Sequence, residues 1–166
     1  AGREATVNAG TVVVGRKGTG SSAGNITSLM TFDTGTFTAD EIQLGVAAAG
    51  NAGTTATGTF TLGSNSASTG VLTVNGSVIL GSNSNSTNAQ TANGTFTILG
   101  GTASLLGPIK DDSTSTVGTS NTTLTLDGGT LDLNSNPIGG DGTAGNLAID
   151  TLHFRSGTLK NVSQIN

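Results

Sequence analysis

Apolar and polar residues alternate in short bursts along this chain, and the bursts are copies of one another. Phe60-Thr61-Leu62, Leu72-Thr73-Val74, Phe96-Thr97-Ile98, Leu124-Thr125-Leu126 and Leu152-His153-Phe154 each set a polar residue between two apolar ones. A period of two marks a β-strand with one buried side. It predicts Phe60, Leu62, Leu72, Val74, Phe96, Ile98, Leu124 and Leu126 inside and the Thr between them outside, where β-branching favours the extended backbone. A second strand follows several triplets, as in NGSVILG (75–81), GTASLLG (101–107) and GGTLDLN (128–134). Each unit therefore reads strand, Gly-containing turn, strand, loop. Asn75-Gly76, Gly100-Gly101, Gly128-Gly129 and Ser156-Gly157 are expected to supply positive φ at sharp corners.

The central residues Thr38, Thr61, Thr73, Thr97, Thr125 and His153 are separated by 23, 12, 24, 28 and 28 positions. Steps of this size match the ~20–45-residue repeats of solenoids, and the single 12 reads as half a coil, two strands on different faces of one rung. Ala5-Thr6-Val7 and Met30-Thr31-Phe32 extend the series. The pattern predicts an all-β chain, a right-handed parallel β-solenoid (β-helix) of roughly six or seven rungs, about 30 Å tall at ~4.8 Å per rung. Residues 1–166 read as one such domain, a segment of a longer repetitive chain or filament. No stretch has helical periodicity; Ala39-Asp40-Glu41-Ile42-Gln43-Leu44 is short, precedes Gly45, and reads as a bulged corner between strands.

Composition agrees with a narrow column. Of 166 residues 27 are Gly, only 10% are charged, 3% are aromatic, and Trp, Tyr and Cys are absent. So few large apolar residues suit a core needing two or three inward side chains per strand. A net charge of -4, with Arg3, Arg16, Lys17, Lys110, Arg155 and Lys160 scattered, argues against nucleic acid or anionic lipid as partners. No apolar run approaches the ~18 residues of a membrane span, so no membrane insertion is expected. Lack of Cys excludes disulfides and thiolate metal sites and is common in exported proteins. The chain opens on Ala without a signal-peptide pattern and reads as a mature product or a piece of something longer.

ATVNAGTVVVG (5–15) and LTLDGGTLDL (124–133) resemble the bacterial autotransporter-associated β-strand repeat, and LHFRSGTLKNV (152–162) is similar to the phrase that precedes such a segment in large surface proteins. The resemblance covers most of the chain through short, degenerate motifs. It implies a parallel β-solenoid from a secreted or surface-displayed bacterial protein, without shared catalytic residues.

Candidate chemistry is sparse. His153 is the sole His and sits where other units carry Thr, which makes it an outward strand residue rather than a base or metal ligand. Asp40, Glu41, Asp111, Asp112, Asp127, Asp132, Asp141 and Asp150 fall at different phases of the repeat, whereas a lyase or hydrolase needs convergent carboxylates. The segment 139–147 (GGDGTAGNL) is similar to one calcium-binding nonapeptide, but it lacks an expected Asp and adjacent copies, so it reads as a flexible loop. Thr36/Thr38, Thr59/Thr61, Thr95/Thr97 and Thr123/Thr125 would make a hydroxyl and methyl array resembling ice-binding faces; Gly70-Val71 is expected to interrupt it, and β-propensity alone explains the Thr. Without Trp or Tyr, sugar-stacking platforms are missing.

The sequence thus predicts no catalytic, cofactor-binding or metal-binding residues, no cofactor and no enzymatic activity. It predicts a structural scaffold of an extracellular bacterial fibre, stalk or adhesin that continues head to tail, through flanking repeats or identical subunits. The alternative is a module that binds a glycan, a surface or ice through its Thr-rich face or its variable loops at 46–57, 82–93 and 108–121.

Overall fold

A computed structural model describes residues 4–18, 24–48 and 51–166 of the chain. Among them no helix occurs. Eleven strands run in order: β1 Ala5–Lys17, β2 Ile26–Phe32, β3 Gly35–Ala47, β4 Thr55–Leu62, β5 Val71–Val74, β6 Val78–Asn83, β7 Thr91–Ile98, β8 Thr102–Leu105, β9 Ile109–Lys110, β10 Thr119–Asp132 and β11 Thr151–Lys160. Every strand pairing is parallel. A parallel neighbour must be reached by a full circuit, so the ladders stack coil on coil into a β-solenoid.

The circuit has three faces. Face 1 stacks residues 5–9 of β1, 35–39 of β3, β5, β8, the end of β10 and the end of β11. Face 2 stacks residues 11–17 of β1, 41–47 of β3, β6 and β9, and continues through single bridges at Ile138 and Ile165. Face 3 stacks β2, β4, β7, residues 119–126 of β10 and 151–154 of β11. One turn on face 3 runs from Met30 to Phe60, then to Phe96, Leu124 and Leu152, steps of 30, 36, 28 and 28 residues. These registers give about five turns rather than six or seven. Thr38 and Thr73 are partners on face 1, while Thr61, Thr97, Thr125 and His153 align on face 3. The sequence steps of 23, 12 and 24 therefore cross between faces, which period-2 alternation cannot distinguish.

Inward side chains form files along the column. Phe60, Leu62, Leu72, Val74, Phe96, Ile98, Leu124 and Leu126 are all inside, none more than 2% exposed. Phe32, Phe37, Phe60 and Phe96 meet edge to face at centroid separations of 5.4, 5.9 and 5.8 Å, the geometry the ring quadrupole prefers.

Corners show where local chemistry decides. Gly101, Gly128, Gly129 and Gly157 have φ between 62° and 141° where face 3 turns into face 1. Gly76 is not in the left-handed region; its constraint is proximity, since an added Cβ would lie 2.6 Å from the Asp40 carbonyl oxygen. The 39–44 segment is the expected corner, though within one continuous strand: β3 runs through it, and the inward phase moves from Phe37 and Ala39 on face 1 to Ile42 and Leu44 on face 2 across Asp40 and Glu41.

Candidate recognition surfaces

All three loop segments singled out in the sequence leave face 2 and enter face 3, so the fold brings them to one edge; residues 49 and 50 of the first lie outside the described residues. They are tied to one another. The Gly53 amide donates to the Ala89 carbonyl at 2.7 Å, and Gln90 Nε2 donates to Thr54 Oγ1 at 2.9 Å. Asn83, fully buried, donates through Nδ2 to the carbonyls of Gln90 (2.8 Å) and Thr119 (3.2 Å). Its own carbonyl accepts from the amides of Thr114 and Ser115. This hub escaped the sequence reading. Its signal is that Asn83 pairs with Ala47, placing an amide at an inward position, and the signal exists only once the register is known.

The fourth coil breaks an apolar file. Lys110 pairs with Ile79 and the Asp112 amide donates to the Gly81 carbonyl, which sets Asp111 beside Leu80, below Leu44 and Val14. Asp111 is only 2% exposed. Its carboxylate accepts from the Ser113 amide at 2.7 Å and from the Ser120 hydroxyl. Burial raises its pKa above the ordinary carboxylate range, the hydrogen bonds oppose the shift, and the Asp150 charge adds to it. Asp150 in turn accepts from the Thr122 amide (2.8 Å) and hydroxyl (2.9 Å). Ser120 and Thr122 stand where the coils above have Ala56 and Ala92, and Gly58 and Gly94. A polar plug thus replaces the close approach of faces 2 and 3.

The remaining carboxylates stay apart. Asp40 and Glu41 sit at the corner from face 1 to face 2, Asp127 at the corner from face 3 to face 1, and Asp132 on face 1. Asp112 pairs with Lys110 at 3.1 Å, and Asp127 with Arg155 at 3.7 Å. Asp33, Asp132 and Asp141 are held below the ordinary range by hydrogen bonds, led by the Ser68 hydroxyl, the Asn134 amide and the Thr143 hydroxyl respectively. His153 pairs with Thr125 and points outward, exposed. Among the described residues no three His, Asp or Glu side chains converge as a metal site. The 139–147 loop is a tight turn rather than a slack one: Gly142 N donates to Asn146 O at 3.0 Å and Asn146 N to Thr143 O at 2.8 Å.

On face 3 the outward residues form four files. Thr59, Thr95 and Thr123 are in register, as are Thr61, Thr97 and Thr125. Beside them run Thr57, Asn93 and Asn121, then Thr55, Thr91 and Thr119. Thr36 and Thr38 lie on face 1, and so does Val71. The expected interruption by Gly70-Val71 therefore does not touch this array.

Three parallel faces, apolar files within and no convergent reactive cluster among the described residues define a β-solenoid repeat protein. Comparison with protein families, characterised proteins and solved structures finds no match.

Proposed function

We propose that the chain is a length of right-handed β-solenoid serving as a structural column, a stalk, fibre or adhesive scaffold, outside a bacterial cell. The observation carrying this reading is that core positions recur coil after coil while no three His, Asp or Glu side chains converge among the described residues. Right-handed winding follows the rule for parallel crossover connections, obeyed in about 98% of cases. The motif resemblance supports an exported location. Proteinase treatment of intact source cells tests it: loss of the chain from the surface is expected, and full protection inside the cell overturns it.

The column is further proposed to continue end to end. The outer edge of β11 is unpaired among the described residues, and the inward file Phe32, Leu62, Ile98, Leu126 reaches Phe154 there, 45% exposed beside a groove of about 260 Å³ lined also by Leu159. Open edges template further pairing, by flanking repeats of the same polypeptide or by β-addition of another copy. Negative-stain imaging and light scattering of the 166-residue chain are expected to show filaments or higher oligomers; a monodisperse monomer overturns assembly between copies.

A second reading, a binding module for a glycan or surface, is favoured by the gathering of the three variable loops on one edge. Glycan arrays and pull-downs decide it, a ligand mapped to 82–93 or 108–121 supporting it. Both readings are non-enzymatic, and turnover of a pectic or alginate polymer that vanishes on changing Asp111 or Asp132 would overturn both.

A further inference from the structure

We propose that face 3 is a lattice-matched surface that binds ice. The inference rests on the fold and the outward files, not on the scaffold reading, and it stands or falls separately from it.

Four strands of this face, β2, β4, β7 and residues 119–126 of β10, contain no charged residue and no His. Among the described residues the charges lie on the other faces, at corners, in the loops, where Asp150 meets Thr122, and on β11. The registers from β2 to β4, β4 to β7 and β7 to β10 run without a bulge, so the outward positions form a two-dimensional grid. Its spacings are fixed by backbone geometry at ~4.8 Å between coils and about 6.6 Å between alternate residues along a strand. Water oxygens on ice faces repeat at comparable intervals in two directions.

The chemistry on the grid suits that lattice. The two files nearest the ends of these strands, Thr59/Thr95/Thr123 and Thr61/Thr97/Thr125, carry six Thr, each offering one methyl and one hydroxyl from a β-carbon whose rotation is restricted. None of these six hydroxyls hydrogen-bonds within the described residues, so they face solvent with bonding capacity free. The two files on their N-terminal side are braced instead: Asn121 Nδ2 donates to Asn93 Oδ1 at 2.8 Å, Asn93 Nδ2 to Thr57 Oγ1 at 3.3 Å, and the hydroxyls of Thr91 and Thr119 lie 3.3 Å apart. An uncharged surface of this kind fits an uncharged solid. A charged mineral or acidic polymer would find no counter-charge, and a crystalline polysaccharide would find no Tyr or Trp on which to stack.

The test is incorporation of the fluorescently labelled chain into slowly growing polycrystalline ice, together with inhibition of ice recrystallisation. Wild type is expected to be enriched in the ice. Thr97→Lys, in the middle coil of the file between Thr61 and Thr125, is expected to lose enrichment, whereas Thr73→Lys, at an outward position on face 1, keeps it. Circular dichroism confirms that both variants fold; if Thr97→Lys does not, Thr125→Lys replaces it. Exclusion of the wild type from ice overturns the proposal. So does equal incorporation of Thr97→Lys and Thr73→Lys, or retention on cellulose or chitin with exclusion from ice.

Discussion

Replacing Gly94 by Ala adds one methyl group where faces 2 and 3 touch through their backbones. A Cβ there would lie 2.6 Å from the Leu44 carbonyl oxygen and 2.8 Å from the Leu80 carbonyl carbon, with the Gly81 nitrogen closer still. Ordinary contacts begin at 3.4 Å, so the sheets must part by nearly an ångström. Flexible side chains yield to such a group, but these atoms belong to hydrogen-bonded strands. Overpacking generally costs ~1–3 kcal/mol and sometimes more, and rigid backbone on the receiving side places this case at the upper end. The lost freedom of the unfolded chain offsets only ~0.4–1 kcal/mol. Gly94 is not in the left-handed region, so the effect is purely steric.

Two other glycines separate the causes. At Gly10 an added Cβ meets nothing nearer than Asp40 Oδ2 at 3.9 Å, and φ is ordinary, so Ala should be neutral or stabilising by up to ~1 kcal/mol. At Gly53 space is open but φ is +76°, so Ala should cost ~1–2 kcal/mol through backbone strain alone. Denaturant melts followed by circular dichroism give the midpoints. Should Gly94→Ala melt with Gly10→Ala, faces 2 and 3 do not meet as described.

Phe96→Ala, which empties the site between Phe60 and Leu124, should cost about 3–5 kcal/mol, and Thr97→Ser within about 0.5 kcal/mol; equal losses in the same melts would refute the inside and outside assignment. Asn83→Ala strips the buried Gln90 carbonyl and the part-buried Thr119 carbonyl of a side-chain donor and should cost about 1–3 kcal/mol, with hydrogen exchange rising first in 84–90 and 111–118; unchanged exchange there would show that Asn83 is not the hub. The raised pKa of Asp111 means that the fold binds its proton more tightly than the unfolded chain, so its contribution to stability falls as pH rises from the ordinary carboxylate range through the folded pKa. Asp111→Asn should therefore melt above wild type at neutral pH and approach it in acid, and a difference that is the same at every pH would refute the burial argument. Asp33, Asp132 and Asp141, with lowered pKa, contribute in the opposite sense, their stabilisation being lost as pH falls; comparing each variant with wild type at the same pH cancels them.

The parts of this fold legible in the chain are those that depend on neighbours in sequence. Alternation alone places Phe60, Leu62, Phe96 and Leu126 inside, because a strand's side chains change sides at every residue whatever it pairs with. Which face a strand belongs to is another matter. It depends on how many residues each corner consumes, and the corners vary: β3 passes from face 1 to face 2 across Asp40 and Glu41, while the next coil breaks between Val74 and Val78. A marker such as Thr73 is locally identical to Thr97 yet lies on another face.

The Thr-x-Thr pairs and the variable loops are visible in the linear sequence, but which of them share a face or an edge is not. Thr59, Thr95 and Thr123 are 36 and 28 residues apart, unequal steps that hide a single straight file. Asp111 shows the converse. In sequence it is half of an Asp111-Asp112 pair that reads as a solvated loop, and only the file Val14, Leu44, Leu80 shows that one carboxylate turns into the column while its neighbour meets Lys110 outside. Burying that charge works against stability, yet Ser113 and Ser120 are arranged to receive it, and Thr122 stands at the position where Gly58 and Gly94 let the two faces touch in the coils above. Several substitutions in two faces agree with one another across the fourth coil. Such agreement is what a built joint requires, and it places the one buried carboxylate among the described residues in this coil rather than in the regular ones above it.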